Sequence, residues 1–462
     1  MVQGSDYIKI KSPADRMRIL LILPHDGTYH YRGFFKRSIS YAPLTLTSLA
    51  ALTPRELGAH IDILDEGVTP PGSYDGKKYD IVGITGTTSA APRAYALAAY
   101  WKARGAHVVF GGSHVTLMPD EALEHGDTVC VGLGERIWPR FLGDYAAGRP
   151  GRLYRHEPCG GDLSLPVPRR DLLSVGGYMP VTTVLANRGC VHACEFCSLT
   201  AQWGRRGLTR PLEEVVEEMT DLARQGKKRF IFLDPSMYSR RDYACRLFEA
   251  LIPLRIKWSG LATLNMADDP EFLGLAARSG CKGILSGLES MDERTMPAIG
   301  KTMNEPRRYK EQIARLHAKG ISVLGCFVLG FDGDTEQGLR RDIAEFLDLG
   351  LDVPRFSVLT PFPGTALFGR LREAGRISHC DWSRYDTEQV VFQPSHMSSQ
   401  TLQNLLHASW RAAYSLRRIA RRSCSMPRSM PLHLAVNLGL RFYARKLAAR
   451  VPPLPPYEPI LK

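Results

Sequence analysis

Residues 185–200 read LANRGCVHACEFCSLT and set three cysteines, Cys190, Cys194 and Cys197, in a C-x3-C-x2-C spacing. The other seven cysteines of the chain lie singly. Three thiols are one too many for a disulfide and one too few for a closed four-cysteine site. Zinc can complete a tetrahedron with His192 or a distant ligand, although no other Cys or His pair stands at the matching spacing such sites usually bring. A [4Fe–4S] cluster held by three thiolates is the other solution. It leaves one iron open to a ligand that chelates through an amine and a carboxylate. At the level of spacing both readings stand.

The trio sits just past a strand-like run near 182–186, the first of six. The others fall near 229–233, 258–264, 283–287, 322–329 and 355–359, each followed by an amphipathic segment such as LEEVVEEMTDLARQ (212–225). Six such units predict a partial, open (β/α)6 barrel, with the cysteines at the end where barrel chemistry is placed. Upstream, MRILLIL (17–23), HIDILD (60–65), DIVGIT (80–85), HVVFGG (107–112) and TVCVG (128–132) alternate with helical stretches. That pattern predicts a doubly wound parallel sheet whose ligand lies outside the carboxyl ends of the strands. The loops there, TGTTSA, GGSH and GLGE, are rich in glycine and hydroxyl residues suited to close backbone approach and polar contacts. The expected organisation is an α/β domain over 1–150, a Gly/Pro/Arg-rich linker over 151–175, the barrel over 176–395 and a basic helical extension over 396–462.

The 462 residues carry a net charge of +13, unevenly spread. Residues 401–462 hold nine Arg and two Lys against one Glu, so ten of the thirteen charges belong to the tail. Arginines interleaved with Leu, Phe and Tyr suit an anionic bilayer surface, and a solvated helix capping the barrel accounts for them equally well. Nucleic acid ranks below both, because no RNA-binding module accompanies the charge. No apolar run reaches the roughly 20 residues of a membrane span, and isolated cysteines without a secretory signal point to the cytoplasm.

NRGCVHACEFCSL, SGLESMD (286–292), CFVLGFDGDT (326–335) and LTPFPGTALF (359–368) resemble the radical S-adenosylmethionine superfamily over about residues 178–370. YAPLTLTSLAALTP (41–54), GITGTTSAAPRAYALA (83–98), GGSHVTLMPDEAL (111–123) and VGLGE (131–135) resemble the cobalamin-binding domains fused ahead of such barrels. The resemblance implies that Cys190, Cys194 and Cys197 bind the cluster, and that Phe196, Ser286 and Glu289 lie near S-adenosylmethionine. Asp234, with Ser236 beyond it, stands where many relatives carry two adjacent acidic residues and is a candidate contact for the methionine amino group. Thr85, Thr87, Thr88, Ser89, Gly111, Gly112, Gly132 and Glu135 are the candidate cobalamin contacts. The Asp-x-His-x-x-Gly element that gives other cobalamin proteins a histidine ligand is broken: His30 and Gly33 are in place, but Thr28 replaces the Asp that would orient the ring.

The function this implies is methylation of an unactivated carbon of an apolar, lipid-like or secondary-metabolite substrate, with an external donor such as flavodoxin or ferredoxin supplying electrons. A non-methylating radical reaction, such as an oxidative cyclisation or carbon–carbon coupling, is the alternative within the family. A zinc-stabilised protein that binds a membrane or RNA surface is the alternative outside it. His114 in GGSH is expected to be a turn residue, and Cys281 and Cys326 to be core residues.

Overall fold

The computed structural model describes residues 16–25, 41–69, 73–74, 76–156, 161–173, 176–424 and 430–450. His30 and its neighbours lie outside them. The first six strands are β1 (Arg18–Leu23), β2 (His60–Asp65), β3 (Ile81–Thr85), β4 (His107–Gly111), β5 (Thr128–Gly132) and β6 (Leu153–His156). They form one sheet in the order β2-β1-β3-β4-β5-β6, every pair parallel. Past Arg18, β1 is apolar because it is covered on both faces. Leu20 and Ile22 join the core under helix Ala91–Lys102, while Ile19 and Leu21 join the opposite core with Trp138, Phe141 and Leu142 of helix Gly134–Ala146. The chain order reverses between β1 and β3, which opens a crevice beyond their carboxyl ends. β6 falls inside the stretch expected to be a linker. It docks as an edge strand because Tyr154 packs edge-on against Phe141 and its hydroxyl donates to Asp144.

The second half comprises β7 (Gly161–Asp162), β8 (Thr182–Val184), β9 (Asn187–Gly189), β10 (Gly207–Thr209), β11 (Arg229–Phe232), β12 (Lys257–Leu261), β13 (Cys281–Glu289), β14 (Ser322–Leu329) and β15 (Val353–Val358). Six strands run parallel in the order β15-β14-β13-β12-β11-β8 and do not close into a ring, which makes the open six-stranded barrel. Its outer face packs aromatically against the helices: Phe248 stacks on Trp258, and Phe327, Phe346 and Phe356 form a triangle. β9 and β10 pair antiparallel, with β7 beyond β10, so the cysteine loop leaves from β9 and returns to β10.

The last three helices, Ser399–Ala413, Leu416–Cys424 and Met430–Arg450, cover the flank of β15. Trp410 donates from its indole to the Phe356 carbonyl at 3.0 Å, and Tyr414 from its hydroxyl to the Pro354 carbonyl at 2.8 Å. Tyr443 meets the Trp410 ring edge-on. Several tail cations are absorbed by this packing: Arg422 bonds Asn437, Arg441 bonds the Tyr414 carbonyl, and Arg418 pairs with Asp348. No helix among the described residues is long and apolar enough to cross a membrane. The tail is thus continuous with the barrel core, and Trp410→Ala should destabilise the whole chain by about 3–5 kcal/mol, read as a lower denaturation midpoint in urea.

Candidate functional site

The cysteine loop is held from outside. Between Cys194 and Phe196, Glu195 donates its N–H to the Ile299 carbonyl at 3.1 Å and accepts from the Leu367 N–H at 3.2 Å, and its carboxylate pairs with Arg370 at 2.9 Å. Arg370 also pairs with Asp332 on the loop after β14. Cys197 donates its N–H to the Cys194 carbonyl and opens the short helix Ser198–Trp203. All three thiols are free and partly exposed. Burial raises the Cys190 thiol and pushes Cys194 up to about 11, so a metal must displace protons to gain thiolates here. Among the described residues no three His, Cys, Asp or Glu side chains converge on a single ion. Three free thiols on one loop, none of them tied up in a disulfide, are the donor set of an iron–sulfur cluster held by three thiolates.

Phe196 packs near Phe331, ring centres 5.9 Å apart, beside the trio. Asp234 is completely buried, and its carboxylate accepts the N–H groups of Ala186 and Asn187 at the entry to β9. Burial pushes this carboxyl up to about 7, against the pull of those two donors. Asp234 thus braces the strand leading into the loop. Ser236 is buried, with no partner for its hydroxyl among the described residues. By strand alternation Ser286 shares a face of β13 with Ile284 and Leu288, in the packed layer under the helices. The opposite, inward face carries Gly287, and opposite it in register stands Cys326 of β14. Cys326, expected in the core, instead lies on this inward face in the field of Glu289 and Lys301; Cys281 is a core residue as expected. A register shift between Gly287 and Glu289 turns the Glu289 carboxylate to an ion pair with Lys301.

In the first domain a cavity opens beyond β3, β4 and β5. Thr85, Gly111, Gly112, Gly132 and Glu135 line it together with Ser48, Gly83, Trp138 and Arg188. Thr87, Thr88 and Ser89 do not; Thr88 and Ser89 are buried in the turn before helix Ala91–Lys102. Gly112 has φ +101°, and a Cβ there would sit 2.5 Å from Thr85 Oγ1, so only glycine allows these two loops to touch. Glycines at this wall allow close backbone approach by the tail of a group such as cobalamin. His114 is buried beneath Trp382 and bonded by Tyr95 and Glu121, away from the cleft lining.

The two sites share a wall. Arg188 of β9, two residues before Cys190, pairs with Glu135 at 2.7 Å across the domain boundary. Helix Ser113–Leu117, beyond β4, packs on helix Ser198–Trp203, which follows Cys197. Spacing singles out neither Arg188, which lies within the cysteine stretch without being one of its ligands, nor Lys301, which lies outside every quoted motif.

The model for the radical SAM superfamily matches residues 184–358, and that for the B12 binding domain matches 40–142. Bacteriochlorophyllide d C-12(1)-methyltransferase of Chlorobaculum tepidum is 30% identical over 414 residues, covering 88% of this chain and 89% of that one. Bacteriochlorophyllide d C-8(2)-methyltransferase of the same organism is 27% identical, covering 88% and 92%. The structure of the radical S-adenosylmethionine methyltransferase TsrM from Kitasatospora setae, with cobalamin and a [4Fe-4S] cluster bound, superposes with a TM-score of 0.64 at 19% identity, covering 78% of each chain. The chain belongs to the radical SAM enzymes that carry an N-terminal B12-binding domain. Arg188→Ala should leave the buried Glu135 carboxylate unpaired at the shared wall, costing roughly 1–3 kcal/mol. The expected readout is a lower melting temperature and faster limited proteolysis between the two domains.

Proposed function

We propose that the chain is a cobalamin-dependent radical S-adenosylmethionine methyltransferase acting on an unactivated carbon of an apolar substrate. The observation that carries this reading is the shared wall, which brings the loop ends of the α/β sheet to the cysteine loop of the barrel. Cys190, Cys194 and Cys197 would hold the cluster, with one iron left for S-adenosylmethionine. Phe196 and Glu289 would flank that position, and Asp234 fixes the strand entering the loop. The cleft lined by Thr85, Gly111, Gly112, Gly132 and Glu135 would hold cobalamin. When bound, these groups supply a hydrogen-abstracting radical and a transferable methyl group. The chain's own residues orient them and hold the reacting carbon between the two sites, shielded from water. Anaerobically reconstituted protein should carry about four irons and release 5′-deoxyadenosine from S-adenosylmethionine under reduction. Cys194→Ala should lose both properties, and colourless, zinc-loaded protein would overturn the reading.

A one-electron donor of the flavodoxin or ferredoxin type completes this reading, as does a site of action in the cytoplasm at the inner membrane face. Helix Met430–Arg450 exposes Leu434, Leu438 and Phe442 at successive four-residue steps, 40–47% accessible, beside exposed Arg445 and Lys446. An apolar stripe edged by cations suits anionic lipid. The protein should float with anionic vesicles and less with zwitterionic ones, and Phe442→Glu should cut the bound fraction roughly tenfold. Equal recovery of the wild type and Phe442→Glu with anionic vesicles would refute membrane contact by this face.

A further inference from the structure

The turn at 299–301 is built against the cysteine loop. Ile299 accepts the Glu195 N–H, and Gly300, at φ +72°, approaches so closely that a Cβ would lie 2.5 Å from the Ala193 carbonyl and 3.6 Å from Cys194 Cα. Lys301 follows, its side chain 11% exposed, paired with Glu289 at 9%. A buried charge survives only when matched and held, and the surrounding chain does both. Gly287 leaves the space the pair occupies: a Cβ there would collide with Glu289 Oε1 and lie 2.6 Å from Lys301 Nζ. Glu289 takes φ +67°, a strained backbone for a side-chain-bearing residue. Asn304 steadies that bend by donating to the Gly287 and Leu288 carbonyls, and the Tyr309 hydroxyl donates to Leu288 as well. Strain sustained by several hydrogen bonds around one ion pair marks a pair whose position matters. Both charges of the pair bear on the thiols: Lys301 favours the thiolate at Cys190 and Cys194, while Glu289 opposes it at Cys194 and outweighs Lys301 at Cys326.

We infer that Lys301 is a positioning residue for the cluster: its ammonium fixes the Glu289 carboxylate and sets one positive charge beside the cysteine loop, which makes the cluster easier to reduce. Reduction adds one electron from the external one-electron donor, which is oxidised by one. The added negative charge is stabilised by a cation held nearby in a poorly screened interior. This rests on the cluster assignment above and concerns the cluster alone, before S-adenosylmethionine binds.

The test is an EPR-monitored redox titration of the reconstituted full chain without S-adenosylmethionine, after iron and sulfide are counted. Lys301→Met should lower the reduced-to-oxidised ratio at fixed potential about tenfold, a fall of ~59 mV for a one-electron couple. Glu289→Gln, which leaves Lys301 unopposed, should move the midpoint the other way, and Lys301→Arg should leave it near the wild type. Opposite shifts are the signature of charge, because a purely structural role would move both variants together or not at all. A loaded cluster whose midpoint ignores both substitutions, or moves the same way in both, overturns the role of Lys301 alone. Wild-type protein that holds no cluster overturns the radical reading itself. Should Lys301→Met fail to retain iron, Glu289→Gln decides: a rise supports the inference and an unchanged midpoint overturns it.

Discussion

A loop that must present three thiols in one arrangement cannot be held by those thiols, which are committed to a ligand. The constraint falls on Glu195, whose N–H, carbonyl and carboxylate are all engaged, by Ile299, Leu367 and Arg370. These partners come from the segments that follow β13 and β15, so the loop is tied to distant parts of the barrel. Asp234 adds a fourth tie at the other end, through the amides leading into β9. The loop's geometry is thus a property of the whole barrel and forms only when β13 to β15 are in place.

The same logic joins the domains. Parallel sheets direct their carboxyl-end loops to one side, and here the two sheets turn those sides toward each other. Glu135 begins the helix after β5, and Arg188 lies on the strand before the cysteines. Their pair falls where the two ligand-bearing ends meet. Its position makes the boundary part of both sites, so an interdomain contact and a cofactor wall are the same few residues.

Much was legible before any coordinates. All six barrel strands and the first five strands of the α/β sheet fall near the apolar runs, because each run recurs ahead of an amphipathic helix and supplies at least one buried face. β6 escaped because Leu153–His156 is short and mostly exposed, docked by Tyr154 and its hydroxyl rather than by an apolar run. Charge alone left a helix capping the barrel and a helix on a bilayer equally open for the tail; Trp410 and Tyr414 bind it to β15, Tyr443 packs on Trp410, and several of its arginines serve as packing donors.

The sequence alone determined the thiol spacing, the glycine-rich loop ends and the alternation of strand and helix, since each is set by a few consecutive residues. Tertiary structure decided which of those residues face inward. A single register shift after Gly287 turns Glu289 toward Lys301 while Ser286 stays under the helices. Strand alternation likewise sends Cys326 inward, and Asp234 is consumed by two amides 47 and 48 residues away. Such facing depends on where a strand bulges and on which distant backbone group needs a partner, and neither is written in local spacing.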